Sequence, residues 1–573
     1  MKSPLIPLSL LGSLIACPIA GHAKADLDQL RSMASQENLV YFEAPDFERL
    51  NEHSAESVWG QIFQNEDFQS YLRRLISKND EEEAEGFDEF LADWEEYSSH
   101  FDGPVVATIN YENFDAFVNE EADAFAITGF VAIGHDDKSF WEKDLKDDEA
   151  EKVDVKLKGF DLYKLEDGDE EGMPAEPYLL LGKDLMVLAF SKDGALSFAE
   201  NYHGKSSSGP SLTETAYYQQ MVENDPDADF YFYGNLQGVG GMLDKLLENF
   251  RPQIEEAAAN GQVVGVDQIK QAIGYDSWRA YYFSAGFDGS ESYMHGAMTY
   301  ENGGGLLGEL VSYYGTDLPQ PMWVPADAPV VTVGNFDFSG VARMIERLVG
   351  RISPMGGGMY TMMKNQLKMQ QIDIDGGLIG NLGSQIVQVY TVNDASIPGP
   401  VTVISLRDGA AFARTVSQLT GMQGMPLSFE DYNGARIASI QQPQVPTYDE
   451  NGEPVMPEAS DQAFTLATTA DQLVYGMSRS GVEEVLDLMA GQADEPLLEQ
   501  PELKAYLSEM PDDTVGYAYY DVNALLNTYL QMIAQLQGEE APHIELDEDY
   551  IAIGSYRRAQ DGLYSEGVVK PRQ

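Results

Sequence analysis

The stretch "MPDDTVGYAYYDVNALL", Met510 to Leu526, contains the element from which the fold is built. The stretch "NDPDADFYFYGNLQGVGGML", Asn224 to Leu243, contains the same element again. Each begins with a Pro-Asp turn and continues as an aromatic strand with alternating side chains. Each then passes through a short polar residue, Asn235 or Asp521, into a segment with apolar residues at helical spacing. The sequence therefore predicts a repeated strand-turn-helix element.

Two further copies occur earlier in the chain. "PADAPVVTVGNFDFSGVARMI" begins at Pro325, and the looser "ENLVYFEAPDFERL" begins at Glu37. A short polar side chain after a strand accepts hydrogen bonds from the first N–H groups of the next helix. We therefore predict Asn235, Asn335 and Asp521 to be helix caps.

A longer repeat contains these elements. "DLMVLAFSKDGALSFAENY" from Asp184 aligns with "DQLVYGMSRSGVEEVLDLM" from Asp471 at an offset of 471 − 184 = 287. Upstream, "GPVVATINYENFDAFV" from Gly103 matches "GPVTVISLRDGAAFARTV" from Gly399. Because several blocks recur in the same order, the sequence indicates a tandem duplication.

The repeat predicts the fold class and the domains. The strand patterns follow one another through short turns and alternate with helices, which favours an α+β fold. We expect two similar units, each a mainly antiparallel sheet with helices packed on one side. The predicted divisions are a signal peptide at 1–25, a first unit at 26–315, a proline-rich connector at 316–329 and a second unit at 330–573.

The first residues predict an export signal. Lys2 precedes an apolar stretch of about 12 residues, which is shorter than the roughly 20 residues that a membrane span needs. Ala23-Lys24-Ala25 is an A-x-A cleavage site, with Gly21-His22-Ala23 as a second option. Either site predicts a periplasmic or secreted protein with no transmembrane segment in the mature chain. As an alternative, "LIAC" ending at Cys17 fits a lipobox, and lipidation there would give an outer-membrane lipoprotein. Cys17 is the only cysteine, so the mature body has no thiol chemistry.

The order of elements resembles an uncharacterised bacterial family of exported proteins, catalogued as domain of unknown function 3352. The residues that carry the resemblance are "LVYFEAPDFERL", "GPVTVISLRDGAAFARTV", "DQLVYGMSRSG" and "LEQPELKAYLSEMPDDTVGYAYYDVNALL". The resemblance implies an envelope protein of unknown role, and it supplies no catalytic residues.

The net charge argues against nucleic acid and anionic lipid as partners. The net charge is −60, and no run of basic residues is evident, so nucleic acid and anionic lipid headgroups should be repelled. The acidic residues are spread along the chain, which indicates adaptation to salt, with weak attraction of cations as the alternative.

Two acidic turns are candidate calcium sites. Asp167, Asp169 and Glu171 precede a glycine, as in the first half of an EF-hand loop, but the twelfth position is Tyr178 instead of glutamate. The corresponding turn of the second unit offers Asp449, Asn451 and Glu453. Solvated hairpin tips are the alternative interpretation of both.

A methionine cluster is a candidate copper site. Clustered thioethers bind copper(I), and the candidate ligands are Met355, Met359, Met362 and Met363. Methionines at three- and four-residue spacing are also common in adaptable helix packing.

No catalytic or cofactor-binding motif accompanies these clusters. The sequence therefore favours a non-catalytic exported envelope protein that binds an envelope protein or polymer, or that has a structural role. The alternative is a glycosidase-like hydrolase with paired carboxylates between the two units.

Overall fold

The computed structural model describes residues 25–77, 97–112, 126–147, 150–165, 177–204, 210–390, 399–422, 427, 429–441, 447–448, 454–455, 462–491, 493, 495–537 and 541–572. They divide into two compact units. The first comprises Met1–Pro252, Gly274–Gly305 and Tyr564–Val568, and the second comprises Gln253–Ile273, Leu306–Leu563 and Val569–Gln573. None of the helices in these ranges is long and apolar enough to cross a membrane.

The helices within the described ranges are α1 (Leu27–Met33), α2 (Phe47–Glu56), α3 (Val58–Gln64), α4 (Glu66–Ser77), α5 (Lys138–Asp147), α6 (Lys192–Gly204), α7 (Ala216–Asn224), α8 (Leu236–Asn249), α9 (Arg251–Ala259), α10 (Val266–Ile273), α11 (Gly305–Ser312), α12 (Phe338–Ile352), α13 (Pro354–Met369), α14 (Gly409–Met422), α15 (Arg479–Gly491), α16 (Pro501–Glu509) and α17 (Val522–Gln537).

The strands are β1 (Val40–Ala44), β2 (Phe101–Glu112), β3 (Ala126–His135), β4 (Glu151–Lys152), β5 (Asp161–Lys164), β6 (Tyr178–Leu181), β7 (Leu185–Ala189), β8 (Phe230–Asn235), β9 (Trp278–Asp288), β10 (Glu291–Tyr300), β11 (Val330–Asn335), β12 (Leu382–Tyr390), β13 (Pro400–Leu406), β14 (Glu430–Tyr432), β15 (Ala435–Gln441), β16 (Thr447–Tyr448), β17 (Pro454–Val455), β18 (Gln462–Thr468), β19 (Gln472–Ser478), β20 (Thr514–Asp521), β21 (Tyr550–Arg558) and β22 (Gly562–Pro571).

The strands of the first unit pair in the order β4-β5-β6-β7-β3-β2-β1-β8-β9-β10, and each pairing is antiparallel. In the second unit the order is β14-β15-β18-β19-β13-β12-β11-β20-β21, again antiparallel throughout. With β1 matched to β11 and β8 to β20, the two sheets have the same connectivity over these nine strands. The predicted α+β class is confirmed, with antiparallel sheets. The superposition of the two units stays a prediction.

Register agrees with the offset of 287 in one part of the sheets. Leu188 of β7 lies opposite Leu179 of β6, and Tyr475 of β19 lies opposite Leu466 of β18, so both members of the pair differ by 287. The strand order shows that one predicted match was wrong. The Gly103 segment forms β2, between β1 and β3, whereas the Gly399 segment leads into β13, which takes the position of β3. Similar strands within one sheet carry similar apolar patterns, so the sequence match selected the neighbouring strand.

The helices pack against both faces of each sheet, which differs from the single helical face expected. In β1, Tyr41 belongs to a core with α1, α6 and α7, while the adjacent Phe42 faces a second core with α2 and α5. Successive strand side chains point to opposite faces, so apolar residues at consecutive positions require cover on both sides. The second unit also has two such cores, which contain Val403 and Ile404 of β13 respectively.

Two of the three predicted caps are confirmed. The side chain of Asn235 accepts a hydrogen bond from the Gly238 N–H at 2.8 Å, and that of Asp521 accepts from the Ala524 N–H at 2.8 Å. Each satisfies an N–H group in the first turn that has no partner within the helix.

Asn335 is not a cap. Its Nδ2 donates to the Asp317 carbonyl at 2.7 Å, and α12 begins later, with Asp337 accepting from the Gly340 N–H at 2.9 Å. The reason is that extended pairing continues past β11, since the Phe336 N–H donates to the Ser384 carbonyl at 2.6 Å.

Residues 253–273 belong to the second unit by their contacts. The Val264 N–H donates to the carbonyl of Ile352 at 2.8 Å, and Ser353 Oγ donates to the carbonyl of Gln262 at 2.7 Å. Both bonds attach this segment to the end of α12 and the start of α13. The boundaries predicted at 315 and 330 stay predictions.

Candidate interaction surface

One buried carboxylate of the first unit is fully occupied by internal partners. The Glu43 side chain on β1 accepts from Arg31 Nε at 3.0 Å, from Arg31 Nη2 at 2.5 Å and from Tyr218 OH at 2.9 Å, and it also accepts from Tyr41 OH. Glu43 has no solvent exposure. This enclosed set of donors indicates a structural role for Glu43, because no substrate could reach either oxygen.

The pKa values of the surrounding donors reflect the same enclosure. Burial, together with the Glu43 charge, raises the pKa of Tyr41 well above its ordinary value, and both act in the same direction on the pKa of Tyr218. Burial acts to lower the pKa of Arg31, but the hydrogen bond and charge of Glu43 outweigh it and raise that pKa. The two phenols and the guanidinium therefore stay protonated donors throughout the physiological range.

A second buried carboxylate has its own partners. Asp229 lies 2.8 Å from Arg49 Nε and 3.2 Å from His53 Nδ1, and it accepts from the Phe287 N–H at 2.8 Å. Nearby in sequence, Asp225 lies 3.6 Å from His295 Nδ1, and the adjacent Asp225 carboxylate raises the pKa of His295. These contacts tie α2, β9 and β10 to the turn between α7 and β8, as structural ion pairs do.

The structure leaves the calcium prediction untested. Asp167, Asp169, Glu171, Asp449, Asn451 and Glu453 lie outside the described residues, and so does Cys17. Among the residues that are described, no group of three or more His, Cys, Asp or Glu side chains is arranged to hold a metal ion. The histidines near carboxylates form separate pairs, for example His100 with Asp136 at 3.4 Å.

The methionine cluster is exposed on a single helix. Helix α13 has no buried residue along its whole length. At roughly 100° per residue, its five methionines fall within a sector of about 120° around the helix. The exposed fractions are 50% for Met355, 60% for Met359, 66% for Met362, 45% for Met363 and 80% for Met369. The predicted copper ligands therefore share one face, and their binding of copper stays a prediction.

Helix α12 adds two exposed apolar residues to the helical hairpin. It packs with α13 as a helical hairpin, and on its outer side Ile345 is 52% exposed and Val349 is 41% exposed. Glycines allow the two helices to approach closely, because a Cβ added at Gly357 would lie 2.7 Å from the Cα of Gly350. We call the five methionines together with Ile345 and Val349 the hairpin face.

The hairpin also differs from the rest of the chain in charge. Residues 338–371 contain five basic residues and only one acidic residue, giving 5 − 1 = +4 in a chain of net charge −60. These bases form no run in the sequence, and the helical hairpin brings them together from successive spacings of four to thirteen residues. The five are Arg343, Arg347, Arg351, Lys364 and Lys368.

Most of these bases are held by carboxylates of the same unit. Lys364 Nζ lies 2.9 Å from Glu346 and 2.7 Å from Asp375. Three further pairs are Arg343 with Asp337 at 3.4 Å, Lys368 with Asp373 at 3.8 Å, and Arg347 with Glu309. The hairpin therefore presents apolar side chains in surroundings that are close to neutral.

Sequence reasoning identified the methionines but missed Ile345 and Val349. Both lie on α12, where Met344 is the buried member of the apolar pattern. This apolar stripe is wider than the side of the helix that packs on the sheet. The width of the apolar stripe can be read from the sequence, but the sequence does not show which of its residues stay exposed to solvent.

Comparisons with known proteins add little to this surface. No family model and no curated protein match the chain. Among solved structures, crystal form III of TP0453 is similar at 9% identity with a TM-score of 0.25, covering 49% of this chain and 82% of that one. Crystal form I of TP0453 gives 10% identity and a TM-score of 0.24, covering 49% and 81%. At these scores the similarity supports no argument about fold or function.

Proposed function

We propose that the protein is an exported envelope protein without catalytic chemistry, which acts by binding through the hairpin face. The observation that carries the proposal is the exposure of five methionines on one side of α13, together with exposed Ile345 and Val349 on the adjoining helix α12. Folded proteins rarely leave large apolar surfaces uncovered, and surfaces of this kind mark sites of interaction. Methionine suits the role because its unbranched side chain adapts to the shape of a partner.

The contacts of the buried carboxylates agree with this proposal. Glu43 has no solvent exposure and accepts from Arg31, Tyr41 and Tyr218 of its own unit, so it is not available as a general acid or nucleophile. Asp229 is buried beside Arg49 and accepts from the Phe287 N–H. A glycosidase needs two carboxyl groups facing a shared cleft.

The test is affinity capture from the cell envelope with matched variants. Met359→Glu combined with Met362→Glu places two charges in the hairpin face, and Thr361→Glu adds a charge to the same helix about 140° from the centre of that face. We expect the wild type and Thr361→Glu to capture the same partner and the double variant to lose it. Equal capture by all three proteins would contradict the proposed binding surface.

The absence of catalysis and the export are tested separately. We expect no turnover on a panel of glycoside substrates, and reproducible turnover that is lost on substituting a single carboxylate would overturn the non-catalytic assignment. Cell fractionation should place the protein outside the cytoplasm. Abundant cytoplasmic protein with an intact Met1 terminus would contradict export.

A further inference from the structure

The size of the hairpin face corresponds to one half of a protein dimer interface. The exposed fractions of its seven residues add up to about four fully exposed large aliphatic side chains. At roughly 120 Å² of apolar area for each, the face offers on the order of 500 Å². A standard interface buries about 800 Å² per partner, of which about 65% is apolar in homodimers, so about 500 Å² of apolar area is what one partner contributes.

The charges around the face determine which partner fits. Amphipathic helices that bind anionic lipid present Lys and Arg to the headgroups. Here Lys364 is held by two carboxylates, and Arg343, Arg347 and Lys368 each have one. Four of the five hairpin bases are paired in this way, which leaves little positive charge for lipid phosphates, and the chain as a whole is strongly acidic. A neutral apolar protein surface therefore matches the hairpin face better than an anionic lipid surface does.

A second copy of this chain supplies such a surface with favourable geometry. The methionine stripe from Met355 to Met369 extends about 21 Å along α13 at 1.5 Å per residue. Around a twofold axis, two α13 helices lie antiparallel, so each stripe covers the other and the two helix dipoles are opposed. The hairpin also has only one acidic residue, Glu346, in 338–371. Two strongly acidic chains can therefore pack through their hairpins with few carboxylates of one copy opposite carboxylates of the other.

We infer that the hairpin face is the interface of a twofold symmetric homodimer, with α13 packed against α13 of the second copy. This inference rests on the proposed function, since it names the partner of that same surface. Dimer formation strengthens as salt is added, because counterions screen the repulsion between two chains of net charge −60.

Sedimentation velocity of the leaderless protein tests the inference. The wild type and Thr361→Glu should form dimers with increasing concentration, and more so at high salt than at low salt. Met359→Glu combined with Met362→Glu should be monomeric under the same conditions while retaining its circular dichroism. A wild type that is monomeric at every salt and concentration, or a double variant that still dimerises, would overturn the inference.

A single introduced cysteine tests the symmetry. In a Cys17→Ser background the chain has no other cysteine. Met362→Cys should form an interchain disulfide on mild oxidation, whereas Thr361→Cys on the other side of the helix should not. Equal crosslinking at both positions would indicate random collision and contradict the α13 pairing.

The outcomes separate this inference from the proposed function. Suppose that the wild type is monomeric and captures an envelope partner that the double variant does not capture. The homodimer is then wrong and the binding role stands. If wild-type protein instead floats with anionic vesicles and is released by salt, the partner is a lipid surface and the homodimer is wrong. If neither association nor capture depends on the hairpin face, both proposals fail.

Discussion

Replacing Arg31 by methionine should destabilise the first unit strongly. Glu43 has no solvent exposure and would lose both of its bonds to the guanidinium, at 3.0 and 2.5 Å, while keeping those from Tyr41 and Tyr218. Removing one partner of a buried ion pair costs about 3–5 kcal/mol. Since two donors remain, we expect a value near the lower end, about 3 kcal/mol.

The matched control is Arg343→Met in the second unit. Its partner Asp337 is 3.4 Å away, and both side chains are exposed, so the expected loss is about 0–1 kcal/mol. Thermal unfolding of the leaderless protein provides the assay. At about 2 °C per kcal/mol for a unit of this size, the melting transition of the first unit should fall by about 6 °C for Arg31→Met. The melting transition of the second unit should fall by at most about 2 °C for Arg343→Met.

A double variant tests the physical cause. Arg31→Met with Glu43→Leu removes the uncompensated charge, so part of the lost stability should return. Recovery should be incomplete, because the hydroxyls of Tyr41 and Tyr218 then lose their acceptor. If Arg31→Met is no more destabilising than Arg343→Met, Glu43 does not depend on the guanidinium and the reasoning is refuted.

Three further predictions concern pH, backbone space and processing. Burial lowers the pKa of His135, so the folded state disfavours the charged form of this side chain. The contribution of neutral His135 to the stability of the fold is therefore fully present above the ordinary pKa of about 6.5, and it is lost as the pH drops towards the lowered pKa. His135→Phe should reduce this pH dependence of the melting temperature, and an unchanged profile would contradict the assignment. Gly129→Ala should destabilise by at least about 2 kcal/mol in urea unfolding, because φ is +133° and the added Cβ would lie 2.0 Å from a β2 carbonyl oxygen. Gly241→Ala has no atom within 4 Å of its Cβ and should instead stabilise α8 by about 0.5–1 kcal/mol, which provides the control. Mass spectrometry of the mature protein should find cleavage after Ala23, since Ala25 is packed in the first core and cleavage after it would remove it; lipidated Cys17 would select the alternative.

Sequence patterns predicted helices and strands well where the deciding contacts join residues only a few positions apart. The alternating strands and capped helices after β8 and β20 form as expected, because Asn235 and Asp521 bond to N–H groups three residues away. The prediction that Asn335 caps a helix failed because of a contact that is distant in the sequence. The chain after it stays extended through a bond to Ser384, about 50 residues distant, and this contact moves the start of the helix to Asp337.

The buried polar contacts were beyond sequence reasoning. Glu43 is one acidic residue among 95 Asp and Glu, and nothing in its surroundings in the sequence distinguishes it. Its partner Tyr218 is 175 residues away and reaches it only because α7 packs on the same sheet face as Tyr41.

The sequence by itself determined the repeated strand-turn-helix element, the α+β class and the methionine spacing of α13, because these depend on the period of side chains along one strand or helix. Tertiary structure alone decided which faces are covered. Both sheet faces carry helices, while one side of α12 and α13 remains exposed, since cover depends on neighbours contributed by distant parts of the chain. The same amphipathic pattern gives a core when an element packs on it and an interaction surface when none does.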